Sequence, residues 1–187
     1  GEIDLIFGKN MLDADAISQY VDSDQFTVSL SEPTSTRHIV LNTTHEILGD
    51  KAVRQALQHA TNREAISEGI FYGLEKPADT LYATSVPYCD VDLEPYVYDT
   101  SIAEQMLDEA GWVMSSDGIR EKEGQKLELD LLYNSDSVTE KTIAEYLQSE
   151  YQKLGISLNI HGEEEQSYRD NMKAGNFDMV FNICWGM

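Results

Sequence analysis

Basic residues are scarce in this chain, 13 Lys and Arg against 34 Asp and Glu, and the formal net charge is −21. A nucleic-acid-binding surface needs cations to displace phosphate counterions, so this balance argues against nucleic acid as a partner. An anionic membrane surface would repel the chain for the same reason. The acidity is read as serving solubility, with attraction of cationic ligands as the alternative. Long apolar runs are also missing. No stretch approaches the roughly 20 apolar residues of a spanning helix, and no basic, apolar leader marks a signal peptide within these residues. Cysteine is used twice, at Cys89 and Cys184. Neither belongs to a CxxC or Cys/His cluster, so no zinc framework is defined. One disulfide is arithmetically open, and the compartment stays undecided. No GxSxG elbow, nucleophile-plus-base motif or glycine-rich phosphate loop occurs, so the chain is not read as an enzyme.

What is present is enough apolar material, 41% of 187 residues, for one core of ordinary domain size, and residues 1–187 are read as a single domain. Strands are expected at Ile3 to Phe7, Phe26 to Leu30 and Arg37 to Asn42, with a short amphipathic stretch from Asp13 to Val21. The first strand is already under way at the start of the sequence. Asp50, Asn62 and Asp99 each suit a helix N-cap ahead of apolar residues at helical spacing. Residues Leu74 to Tyr98 make a long connection holding three of the four prolines, of a length that is usually structured or functional. Gly118 and Gly124 flank Ile119-Arg120-Glu121, which with Leu127 to Tyr133 reads as a hairpin. The last third alternates strand and helix: Leu127 to Leu131, Ser137 to Leu154, Ile156 to Ile160, Glu164 to Ala174, then the apolar run Phe177 to Trp185. That order predicts an α/β fold with a mixed, largely parallel sheet flanked by helices.

Several phrases go beyond generic α/β. Ile39-Val40-Leu41-Asn42-Thr43 precedes Ala52-Val53-Arg54-Gln55-Ala56-Leu57. Ala78-Asp79-Thr80-Leu81, Ser85-Val86-Pro87-Tyr88 and Leu107-Asp108-Glu109-Ala110-Gly111-Trp112 follow, with Ile119-Arg120-Glu121 and Gly162-Glu163-Glu164-Glu165 further on. As a set, over essentially the whole chain, they resemble the family 5 extracellular solute-binding proteins, the receptors of peptide and nickel ABC importers. The subgroup they most resemble is the nickel-binding receptors. The resemblance implies a periplasmic-binding-protein-like lobe, the second of two joined by crossover strands, with the first lobe outside this sequence. It further implies a periplasmic or cell-surface-anchored lipoprotein that presents a small-molecule, metal-chelate or peptide ligand to ABC permease subunits. Alternatives are a peptide, oligopeptide or opine receptor, and the ligand-sensing domain of a transcription regulator.

The resemblance places Trp185 and Gly186 at the cleft edge. Physics agrees, because open α/β sheets bind ligands outside the carboxyl ends of their strands, where a Trp offers a flat apolar wall or a π-face for a cation. Packing in the lobe core is the competing reading. Cys184 is a weaker ligand candidate, since a buried, inert thiol suits its apolar flank. His38, His45, His59 and His161 lack the spacing of a paired metal motif. No metal site and no cofactor is expected within this chain, because the resembled nickel receptors take their metal already chelated by a small organic carrier. The run Glu163-Glu164-Glu165 is read as a helix start, favoured by the dipole.

Overall fold

The computed structural model describes residues 4–7, 11–84 and 86–185. In chain order the elements are α1 (Ala14–Val21), β1 (Ser35–Leu41), α2 (Glu46–Gly49), α3 (Lys51–Ala60), α4 (Arg63–Phe71), α5 (Thr100–Glu109), β2 (Val113–Met114), β3 (Arg120–Lys122), β4 (Gln125–Lys126), β5 (Glu128–Asn134), α6 (Val138–Lys153), β6 (Ser157–Glu163), α7 (Glu165–Ala174) and β7 (Met179–Trp185). Most helices start where a short polar side chain takes up free backbone N–H groups. Asp13 accepts from Ala16, Asp50 from Ala52, Asn62 from Ala65, Asp99 from Ser101 and Ile102, and Ser137 from Glu140.

The main sheet has the order β1-β7-β5-β6. β5 runs parallel to both β6 and β7, and β1 is antiparallel to β7, so the sheet is mixed and largely parallel as expected. β5, α6 and β6 form a βαβ unit, and α7 leads on to β7 on the far side of β5. On one face, Leu129, Leu131, Leu158, Met179 and Phe181 pack against Leu107 of α5 and Ile143, Leu147 and Tyr151 of α6. α7 covers part of the other face, where Tyr168 meets Leu132 and Val180.

The turn from α6 into β6 depends on Gly155. Its φ is +78°, a conformation that side chains other than glycine's adopt at a cost, and an added Cβ would stand 2.8 Å from the Met114 sulfur and 2.9 Å from Arg120 Cγ. Arg120 is 3% exposed. Its backbone N–H donates to the Gly155 carbonyl at 2.7 Å, and its guanidinium bonds the carbonyls of Leu154 and Trp112 and pairs with Asp108.

Three expectations are corrected. Asp4 to Phe7 joins no ladder among the described residues, with Leu5 79% and Phe7 89% exposed, and Ile3 lies outside the described residues. Residues 26–30 likewise form no strand; Phe26 packs instead edge-on against Tyr20 of α1 at 5.1 Å. Apolar alternation becomes a strand only where a neighbour supplies the ladder, and among the described residues neither segment has one. The hairpin also pairs differently. Glu123 and Gly124 (φ 53° and 86°) make a two-residue turn of left-handed conformation, which closes β3 onto β4 with Lys122 opposite Gln125. β5 then leaves for the main sheet, where its leucines find the core.

Candidate functional site

Parallel strands bring their carboxyl ends to one edge, where an open α/β sheet offers its crevice. Asn134, Glu163 and Trp185 end β5, β6 and β7 there. Asn134 joins three elements: its backbone N–H donates to Glu140 Oε2 on α6 at 2.9 Å, and its amide donates to Glu165 Oε2 on α7 at 2.5 Å. The Glu163 carboxylate accepts from Ser167 Oγ at 2.5 Å and Asn171 Nδ2 at 2.7 Å, and its carbonyl accepts from the Ser135 N–H. The edge is thus braced by side-chain bonds to the first turns of two helices.

Glu140 is 9% exposed. Burial pushes its carboxyl above the ordinary glutamate range; the Asn134 N–H and the Arg37 guanidinium partly offset this, and the Glu165 charge adds to it. Arg37 stands on β1 opposite Ile183, with its guanidinium over the Phe71 ring at 5.6 Å and 3.6 Å from the Glu75 carboxylate.

The end of β7 is held from one side. Its ladder with β5 comprises Leu131↔Met179 and Leu132↔Val180, whereas its ladder with β1 continues to Ser35↔Trp185. Positions 183–185 therefore run past β5 as one strand of a two-stranded ribbon. The backbone of Trp185 sits at the sheet edge that its sequence position implies; its side chain, and Gly186 altogether, lie outside the described residues. Cys184 is a half-buried free thiol opposite Thr36. The Tyr82 hydroxyl is pushed above the ordinary tyrosine range, chiefly by Cys184, with burial and Cys89 adding to the effect.

The four histidines stay apart. His38 Nδ1 lies 3.3 Å from the Thr36 carbonyl and His59 Nδ1 2.8 Å from that of Val97, while His45 pairs with Asp178 at 3.3 Å and His161 with Asp130 at 3.1 Å. The His161–Asp130 pair and Asp178 border a cavity of about 260 Å³, floored by Leu132 and Phe177 on the sheet face that α7 leaves open. Among the described residues, no three His, Cys, Asp or Glu side chains are placed to hold a metal ion. No described helix is long and apolar enough to cross a membrane. Glu164 and Glu165 start α7, as the dipole argument expects, and Glu163 ends β6. Sequence reasoning missed Asn134, Glu140, Arg37 and Tyr82. The first two carried a signal, a polar residue after an alternating strand and an acid three residues past an N-cap serine; Tyr82 carried none.

The fold is that of the periplasmic binding proteins, and comparison with known proteins agrees. The sequence profile of the bacterial extracellular solute-binding proteins, family 5, middle region, matches residues 1–186. The nickel-binding periplasmic protein of Escherichia coli K12 is 35% identical over 188 residues, covering 100% of this chain and 36% of that protein. The crystal structure of NikA from Brucella suis, in complex with Fe(III)-EDTA, superposes with a TM-score of 0.93 at 40% identity over 100% of this chain and 38% of its own. The oligopeptide-binding protein AppA of Bacillus subtilis, in complex with a nonapeptide, gives 0.82 at 27% identity over 94% of this chain and 36% of its own. The chain belongs to the family 5 bacterial extracellular solute-binding proteins, which are receptors and not enzymes. It spans little more than a third of the length of each of these relatives.

Proposed function

We propose that this chain, as a single domain, is the second lobe of a two-lobed extracytoplasmic receptor that delivers a nickel chelate to the permease of an ABC importer. The observation that carries the reading is whole-chain identity of 35% to a nickel-binding protein and 40% to a structure holding a metal chelate, against 27% to a peptide-bound one. The ligand wall in this reading is the carboxyl edge of the sheet, with Trp185 and Gly186 at its rim and Cys184 beside them. A Trp face there suits a compact metal chelate through apolar contact and attraction to positive charge. The separated histidines fit a metal that arrives already coordinated, since protein capture of a bare ion needs three or four convergent ligands. Closure of two lobes over the ligand is a hinge motion, and one lobe alone supplies half of the wall.

The peptide-bound relative keeps a second reading open, a peptide receptor built on the same lobe. Calorimetry separates the two, using this chain and the longer receptor that contains it, with nickel alone, nickel plus histidine, and a mixture of short peptides. The nickel–histidine complex is expected to bind the longer receptor, with little heat from peptides and little from the isolated chain. Peptide binding without chelate binding would transfer the assignment to the second reading. Tight binding of bare nickel by the isolated chain would contradict both.

A further inference from the structure

Trp112 is 3% exposed, and its indole N–H has no hydrogen-bond partner among the described residues. An indole can only donate, and a buried donor without an acceptor costs stability. The residue is held by its backbone, whose N–H donates to the Leu107 carbonyl at 2.9 Å and whose carbonyl accepts from Arg120 at 2.6 Å. Trp112 forms the buried wall of a cavity of about 650 Å³. Its other walls include Glu46 of α2, the α3 cap Asp50, and Lys122, Glu123 and Gln125 of the β3–β4 hairpin. The Lys122 ammonium lies over the indole, 5.8 Å from the ring centroid, with its stem beside Gly111. The polar contacts across the cavity are weak. Lys122 Nζ is 3.5 Å from Asp50 Oδ2, between side chains 36% and 31% exposed, and Gln125 Nε2 donates to Glu46 Oε2 at 3.4 Å. Gln125 and Lys126 lead into the start of β5. The ligand crevice is at the other end of that strand, about 20 Å away for seven residues.

Three carboxylates and one ammonium line this cavity. They repel a simple anion, while a simple cation would leave the indole without an acceptor. A small molecule with both charges meets both demands. We infer that the cavity is a second ligand site, for a zwitterionic α-amino acid that inserts into the Lys122–Asp50 pair. Its carboxylate takes the Trp112 indole N–H and the Lys122 ammonium, which swings off the ring face to admit it. Its ammonium takes Asp50 Oδ2 and the Glu46 carboxylate. Each weak contact is thereby replaced by a charge-assisted hydrogen bond. Asp50 Oδ1 keeps its bond to the Ala52 N–H at 2.9 Å, so α3 stays capped. One amino acid makes few contacts, and an affinity on the order of 1 mM is expected. The site is separate from the crevice and does not depend on what the crevice binds.

The test is the indole region of the nitrogen–proton NMR spectrum of this chain. The sequence has two tryptophans, so Trp185→Phe leaves one indole signal and identifies it as that of Trp112. With L-alanine this signal is expected to move downfield and to saturate, as its N–H gains an acceptor. N-acetylalanine lacks the ammonium and alaninamide lacks the carboxylate, and each should shift it far less. Lys122→Met keeps the stem without the charge and should weaken alanine binding at least about tenfold. A Trp112 signal unmoved by L-alanine up to about 50 mM, in a chain whose spectrum is that of a folded protein, would overturn the site. An equal response to all three compounds would do the same, as would an unchanged titration in Lys122→Met. A response to dialanine but not to alanine would overturn the amino-acid assignment in favour of a peptide. No readout involves nickel, so failure here leaves the crevice assignment standing, and failure of nickel binding leaves this site to its own result.

Discussion

Arg120 carries more of the structure than its place in a surface hairpin implies. Its guanidinium satisfies the carbonyls of Leu154 and Trp112, at the end of α6 and beyond α5, and its backbone N–H holds the Gly155 carbonyl. In Arg120→Ala those carbonyls lose a charged donor while remaining buried, which costs about 3 kcal/mol. Denaturant unfolding of the variant should show that loss, and a change below about 0.5 kcal/mol would mean that water replaces the guanidinium. Glu140 gives a prediction of a different form. Its folded-state pKa is raised by burial, so the native state holds the proton more tightly than the unfolded chain does. The associated stability is complete below the ordinary glutamate value of 4.5 and is lost as pH rises through the folded value. Glu140→Gln keeps an acceptor for the Asn134 N–H and does not titrate. Its urea midpoint should therefore gain on the wild type as the pH is raised above the ordinary glutamate value. A gap constant over that rise would contradict the assignment.

At the scale of elements, the joint between α6 and β6 is the tightest. Gly155→Ala adds a Cβ at positive φ against Met114 and Arg120, and about 2 kcal/mol of destabilisation is expected by thermal or urea unfolding. Gly118→Ala is the control. It also has positive φ but meets nothing within 4 Å, so it should cost less; equal losses would show that backbone strain alone is at work. The capped helices and the alternating strands of the last third were legible in the sequence because each rests on local chemistry: a side chain reaching the next turn, or a period of two against a core. Residues 4–7 and 26–30 were misread for the complementary reason. Their apolar spacing is local, but a strand is defined by its neighbour. The tight turn of the hairpin was not legible, because Glu123 adopts a left-handed conformation that its residue type does not announce. Of the site, the sheet edge and the place of Trp185 on it could be inferred from strand order. Arg37 could not, since it is brought to the edge by contacts across long stretches of chain.

For the whole molecule, the mixed sheet accounts for both what is rigid and what is exposed. Helices α3 to α6 bury one face, and α7 leaves part of the other open around Asp130 and His161. The carboxyl edge, fastened by Asn134 and Glu163 to two helix starts, is a stiff wall. A net charge of −21 favours encounter with a ligand that carries positive charge, and added salt should slow that association. The central claim is that this wall, at the end of β7, is where the receptor grips a nickel chelate. Its most direct test is calorimetric titration of nickel–histidine into the longer receptor containing this chain, wild type against Trp185→Ala. The account predicts an affinity at least about tenfold weaker in the variant, because an aromatic anchor at a desolvated contact is worth upwards of 1.4 kcal/mol. Unchanged affinity in a variant that melts like the wild type would contradict it, and would move the ligand contacts away from the end of β7.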